Sequence, residues 1–286
     1  MAARRVLLNA LEALGEHRSA VVLVGAQAIY LQAGDADLEA SVAPYTTDAD
    51  LGIDPTRLGS DPRIIEAMTK AHFELKVKSG NGGVEPGTWE VETEVNGKPT
   101  RIPVDLLVPE QLAPQPRGRR DARLPEHGKN ATRWTPGIEA TIFDNDEMPI
   151  ASLEPERDSR EMRIRVAGPG SLLIAKSHKI ADRLADGSQG RGHRVKPKDC
   201  ADVIRLMRAP MPPATVGARL AEIAKHPACT TSVSEGVQKL VEQFGRPRSI
   251  GVDLAIDSLG GALPEAEIRA LAPGYIDDLL LAYQQA

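Results

Sequence analysis

The chain has 286 residues, 41% of them apolar and 26% charged, with a formal net charge of −5. Such a composition excludes a wholly disordered chain and supplies enough residues to bury one large core or two modest ones. The acidic balance argues against a general nucleic-acid coat, and an aromatic content of 3% leaves few platforms for base stacking.

Leu7, Leu8, Leu11 and Leu14 recur at helical spacing, which predicts an amphipathic helix over residues 3–16, ending near Gly15. The β-branched run AVVLV (20–24) reads as a buried strand, and Gly25 opens a helix that Gly34 closes. Residues 35–46 read as a loop, 48–53 as a second strand and 61–71 as a helix. In the segment 89–95, Trp89, Val91, Thr93 and Val95 alternate with glutamates, the period of a half-buried strand. Asn96-Gly97 then signals a tight hairpin into a partner strand over 101–108. Residues 109–136 hold five prolines and many charges and read as an exposed loop, with further strands expected at 138–143 and 162–166. From Gly170 onward, helical apolar spacing dominates. The expected architecture is therefore α+β: residues 1–168 form a mixed sheet with helices, and residues 169–286 form an all-helical C-terminal domain.

The chemistry concentrates between residues 21 and 108. A strand leads into a Gly-opened helix, and the next strand carries Asp48 and Asp50 in TTDADLGID. Carboxylates two residues apart on a strand face the same side, and their mutual repulsion calls for a neutralising partner such as a hard divalent cation. Gly25 lets backbone approach closely, and the amides of the following helix favour an anion such as phosphate. Asp105 lies within the apolar strand RIPVDLLV, where an acid is costly without a partner. Read without function, Asp48 and Asp50 would solvate a strand end and Gly25 would make an ordinary turn. The six histidines show no metal spacing, and neither a nucleophile elbow nor a P-loop occurs.

The order G-x(n)-T-D-A-D-L…V-D-L-L resembles the nucleotidyltransferase fold of the polymerase-beta superfamily. SLLIAKSHKIADR followed by KPKDCADVIRLM is similar to the K-x(n)-R…KD-x-x-D-[LV] segment of AbiEii and MenT nucleotidyltransferases, toxins of type IV toxin–antitoxin systems. The resemblance implies a metal-dependent nucleotidyltransferase with its nucleotide cleft closed by the helical domain. Asp48, Asp50 and Asp105 would be catalytic and hold one Mg²⁺ or a pair. Gly25, Lys176, Arg183 and Asp199 would bind the NTP, with Lys198 and Asp202 in support. It further implies an RNA or tRNA acceptor, a role as a toxin and a cognate antitoxin as partner. A small-molecule acceptor and a non-catalytic nucleotide-binding regulator are the alternatives. The chain departs from the family at Ala26, where Gly or Ser is usual; Gln27 is the next polar side chain.

Lys176, Lys179 and Arg183 share one helix face, which would equally suit a solvated charge stripe, and Asp199 and Asp202 could pair with Lys198 or Arg205. The stretch GSQGRG (187–192) reads as a flexible basic loop. Residues 117–133 carry six Lys/Arg against two Asp/Glu, and 176–198 carry seven against two, so the acidic total averages over two basic stretches. They would meet RNA through its phosphates. Cys200 and Cys229 lack C-x-x-C spacing and suit a reducing, cytoplasmic compartment. The sequence contains neither a signal-peptide pattern nor an apolar run of about 18 residues, so no membrane partner is expected.

Overall fold

A computed structural model describes residues 2–34, 47–80, 82–113, 121–122, 124–191 and 195–286, without the side chains of Pro125 and Arg191. The expected loop at 35–46 lies outside the described residues. Two compact units emerge: one from Met1–Gln27, Tyr45–Pro136 and Asn145–Ala167, the other from Ala28–Pro44, Gly137–Asp144 and Gly168–Ala286.

The first unit holds an eight-stranded mixed sheet. Its strands are β1 (Val21–Val24), β2 (Ala49–Ile53), β3 (Glu74–Val77), β4 (Val84–Val95), β5 (Lys98–Pro109), β6 (Arg133–Thr135), β7 (Asn145–Ala151) and β8 (Glu161–Ala167). They run in the order β3-β4-β5-β2-β1-β8-β7, with β6 paired to β5 beside this path. Strand β1 is antiparallel to β2 and parallel to β8, whereas β2 and β5 are parallel. All four residues of β1 are buried, as a continuous apolar run in a central strand requires. Asn96 and Gly97 both take positive φ (53° and 75°), the backbone of the expected tight hairpin between β4 and β5. Helix α1 (Ala2–Ala13) lays Val6, Leu7, Leu8 and Leu11 into the core and packs over β2, β4 and β5. Helix α2 (Gly25–Ala33) begins where β1 ends, and α3 (Ile64–Lys70) packs on α1.

Three expectations need correction. The segment 109–136 is not simply an exposed loop: its second half returns to the sheet as β6, with Ala122, Ala131 and Thr132 buried. The Trp89 indole N–H donates to the Ala131 carbonyl at 2.9 Å, fastening this return to β4. Proline and charge count could not show it, because the apolar residues involved are small and dispersed. The apolar run 138–143 is a short helix, α4 (Glu139–Phe143), rather than a strand. A run that short carries no period able to separate helix from strand. Asp48 precedes β2 instead of lying on it. Strands β3 and β7 lacked a readable signal, since both carry charges or a proline among few apolar residues.

In the second unit, the described residues from Gly168 onward form α5 (Pro169–Asp186), α6 (Pro197–Met207), α7 (Pro213–Ala224), α8 (Thr230–Phe244), α9 (Ile250–Leu259) and α10 (Glu265–Gln285). Proline opens α5, α6 and α7, at a position where its missing N–H has no helical partner anyway. Helix α5 packs on α6, α7 and α8, while α7 lies along α10. Close approach of that last pair depends on Gly217, where a Cβ would strike the Leu279 carbonyl. The buried Asp144 carboxylate accepts the Ser171 N–H at 3.0 Å, satisfying an amide in the first turn of α5. Residues 187–191 continue α5 as a wide turn, broken where Gly190 takes φ 82°; Gly192 lies outside the described residues. None of the described helices is long and apolar enough to cross a membrane.

Candidate functional site

Pairing of β2 with β5 sets Asp50 directly beside Asp105. Register partners on adjacent parallel strands lie about 4.8 Å apart and project to the same face, so two carboxylates separated by 55 positions of sequence become neighbours. On its other side Asp50 pairs with Val24, the last residue of β1, and Gly25 follows immediately. Gly25 takes φ +67°, and a Cβ added there would collide with the Asp50 carboxylate. The glycine thus serves two needs: a left-handed turn from strand into helix, and room for the acid at the start of α2. Asp48, two residues before Asp50, is half-buried. Its carbonyl accepts the Gln27 side-chain N–H at 3.3 Å.

Gln27 itself is buried. Its amide also donates to the Ala3 carbonyl at 3.3 Å, and its oxygen accepts the Arg4 guanidinium at 2.9 Å. These bonds tie α1, α2 and the approach to β2 together, so Gln27 positions Asp48 from behind. Ala26 is buried and apolar, leaving backbone amides as the donors at this end of α2.

Asp105 has partners that composition and spacing did not reveal. The Thr88 hydroxyl, in register on β4, donates to Asp105 Oδ1 at 2.7 Å, and the Arg133 guanidinium pairs with Asp105 Oδ2. Arg133 arrives because β4 leaves the edge of β5 at Gly87 and β6 takes its place. Gly87 has φ +71°, donates its N–H to the Asn130 carbonyl at 2.8 Å, and has no room for a Cβ against the Arg133 backbone. A glycine inside a strand pattern was the available signal for that handover. The side chains of Asp105 and Arg133 are 22% and 24% exposed, so the pair is open to solvent on one side.

Carboxylate oxygens are the donors a hard cation takes, and strand pairing sets two acids, Asp50 and Asp105, side by side, with Asp48 two residues before Asp50. No group of three or more His, Cys, Asp or Glu side chains converges in metal-holding geometry among the described residues. Asp105 already has a donor on each oxygen, and the Asp50 carboxylate stands against the turn at Gly25.

A second polar centre lies within the helical unit. Lys176 on α5 is buried and donates to Asp199 Oδ1 at 2.9 Å and to Asp202 Oδ2 at 2.7 Å, both on α6. Arg183 pairs with Asp199, and Lys179 approaches the same carboxylate at 3.7 Å. Arg205 donates to Asp202 Oδ1 at 3.0 Å and stands 5.7 Å from the centre of the Tyr30 ring. Burial pushes the Asp202 carboxyl upward, but the Lys176 ammonium, with help from Arg205 and Lys198, outweighs it and holds the group below the usual carboxylate range. Cys200, within the same helix, is buried, and that burial pushes its thiol up to about 12, disfavouring the thiolate. The expected stripe Lys176-Lys179-Arg183 therefore turns toward the acids of α6 rather than lying fully solvated. Asp202 pairs with both Lys176 and Arg205.

The sequence-derived candidates thus fall into two groups: Gly25, Asp48, Asp50 and Asp105 in the sheet unit, and Lys176, Arg183 and Asp199 in the helical unit. Thr88, Arg133, Gln27 and Gly87 join the first group only through strand register. Compared with known proteins, the chain matches no family model, no curated protein and no solved structure.

Proposed function

We propose that the protein is a metal-dependent nucleotidyltransferase of the nucleotidyltransferase fold, moving a nucleoside monophosphate from an NTP to an acceptor hydroxyl. The observation that carries this reading is the register of Asp50 with Asp105, with the Asp50 carboxylate against Gly25 at the opening of α2. It supports the reading because Gly25, Asp50 and Asp105, far apart in the motif order, become neighbours through strand pairing.

In this reading Asp48 and Asp50 hold Mg²⁺, with Asp105 as the third acid of the site. The cation, when bound, neutralises the triphosphate and aligns it for displacement. Gly25 and the adjoining α2 amides cradle the phosphates through backbone N–H groups. The acceptor oxygen forms a bond to the α-phosphorus, the bond from that phosphorus to the β-bridging oxygen breaks, and pyrophosphate leaves with the electron pair. The acceptor's proton passes to a carboxylate of the face, for which Asp105 is the candidate. Arg133 and Thr88 fix the rotamer of that carboxylate.

Lys176, Arg183 and Asp199 enter as nucleotide-binding residues by the resemblance. The buried contacts of Lys176 favour a second reading for this group, in which the cluster locks α5 to α6. An RNA or tRNA end as acceptor, a role as a toxin and a cognate antitoxin belong to the same resemblance. A cytoplasmic setting accords with two buried, unpaired cysteines. Pyrophosphate release from each NTP, measured with tRNA, with total RNA and with hydroxyl-bearing small molecules, tests the proposal. Release that requires Mg²⁺ and RNA and weakens with salt is expected. Release with a small molecule alone selects the alternative acceptor, and Mg²⁺-dependent NTP binding without release selects the regulator.

A further inference from the structure

Two buried histidines of the sheet unit use their ring nitrogens in opposite ways. His17, in a short helical turn after α1 (Gly15–Ala20), and His127, at the end of the turn 125–127, are 2% and 4% exposed and meet edge to face at 5.5 Å. His17 Nε2 lies 2.6 Å from the Pro62 carbonyl, which can only accept, so that nitrogen carries the proton. Its Nδ1 is then the lone-pair nitrogen, buried without a hydrogen-bond partner. His127 Nδ1 instead accepts the Ile64 backbone N–H at 3.4 Å, the first amide of α3, so this ring is bonded as the neutral imidazole.

That bond is one of three ties between α3 and the segment that returns to the sheet. Arg63 donates through Nε to the Glu126 carbonyl at 2.9 Å on the exposed side, and Gly128 packs so closely on Ile65 that a Cβ there would strike it. Beyond Gly128 the Asn130 and Ala131 carbonyls accept from Gly87 and Trp89, and the chain enters β6. A proton on His127 Nδ1 would set one donor against another, breaking the bond to Ile64, and would leave a buried charge beside a second imidazole. The groups facing His127 divide: burial, the largest influence, opposes the proton, as do His17 and Arg63, whereas Glu126 and Asp61 favour it. Glu66 on α3 is engaged with Arg63 at 3.4 Å. Arg63 keeps its charge in acid, so the tie to Glu126 does not titrate.

We propose that His127 is a proton-operated fastener between α3 and the return segment 124–131: neutral, it holds the two together, and on protonation it releases them as one local unit before the sheet opens. The inference goes beyond the nucleotidyltransferase reading and is independent of it, because it needs neither metal nor nucleotide.

Hydrogen exchange by mass spectrometry tests it on the full chain at about pH 7 and about pH 5.5, corrected for the intrinsic pH dependence of exchange. Relative to β1, protection of residues 62–71 and 124–131 should fall about tenfold, the effect of one proton taken up on opening across one unit of pH below the unfolded imidazole value of about 6.5. His127→Asn, whose side-chain oxygen can stand in for Nδ1 without titrating, should keep the protection and lose the acid response. His178→Asn, in the helical unit, should leave that response in place. An acid response that persists in His127→Asn, or a fall in β1 equal to that of the two segments, would overturn the inference. Should His127→Asn fail to fold, the wild-type chain decides alone: segments that stay protected in acid, or that open at different pH values, overturn it as well.

Discussion

Two polar centres, one in each unit, use the same residue types to opposite effect. On the sheet face Asp105 keeps 22% of its side chain exposed and meets one guanidinium and one hydroxyl. In the helical unit the Asp199 and Asp202 side chains are 7% and 1% exposed, and Lys176, Arg183 and Arg205 close on them. A carboxylate with open surface and a single cation has capacity for a ligand. One buried under several cations has already exchanged water for protein partners, and removing any partner leaves a charge stranded. The contrast teaches that an acid's solvent access and partner set, more than its presence in a motif, separate a reactive site from a structural lock.

The largest expected effect separates the centres by activity. Asp50→Ala should lower nucleotidyl transfer on the order of 1,000-fold, because metal-assisted charge stabilisation is worth several kcal/mol. Its melting temperature should stay close to that of wild type, which separates lost chemistry from lost fold. Chelating Mg²⁺ should reproduce the loss in wild type. Lys176→Met should do the reverse, costing about 3 kcal/mol of stability in urea unfolding by taking one cation from each of two buried carboxylates. If Lys176→Met folds normally but no longer binds NTP, the comparison fails and Lys176 belongs to the reactive site.

Gly25→Ala is the next smaller perturbation. Placing a Cβ at φ +67° costs about 1–3 kcal/mol and pushes the Asp50 carboxylate aside, so Mn²⁺ affinity should fall further than stability does. Gly217→Ala strains the α7–α10 contact instead and should lower stability without changing Mn²⁺ affinity.

Protonation gives the smallest effect. Burial holds His127, beside His17 at a ring separation of 5.5 Å, and His178 below the ordinary imidazole range. The unfolded chain therefore takes up protons first as pH falls. Stability is fully present above the unfolded imidazole value of about 6.5 and declines as pH drops below it. Thermal unfolding across that range, with His127→Gln flattening the slope, checks the sign. His127 sits in the sheet unit and His178 in the helical unit, so single variants show which unit unfolds first in acid.

What the sequence disclosed follows from the range of each signal. Local patterns were legible: the VVLV strand, the Asn96-Gly97 hairpin and the helix from Gly25 to Gly34 each depend on a few adjacent residues. The motif order singled out Gly25, Asp50 and Asp105, but only strand register sets the last two side by side. Arg133 and Thr88 could not be assigned to Asp105 in advance, because the exchange of β4 for β6 at Gly87 is a tertiary event with one glycine as its local trace. The run 138–143 went to the wrong element because burial, more than periodicity, sets its conformation. Likewise Lys176, Lys179 and Arg183 form a stripe in sequence, and whether it faces water or acids depends on α6, which returns only after the turn at 187–191.

The central claim is that the face built from Asp50 and Asp105 transfers nucleotides. Incubation with α-labelled NTPs and tRNA, for wild type, Asp50→Asn and Asp105→Asn, tests it most directly. The account predicts Mg²⁺-dependent incorporation of label into RNA by wild type, lost in both variants although both remain folded. Incorporation that survives both substitutions unchanged, or wild-type protein that incorporates no label from any NTP, would contradict it.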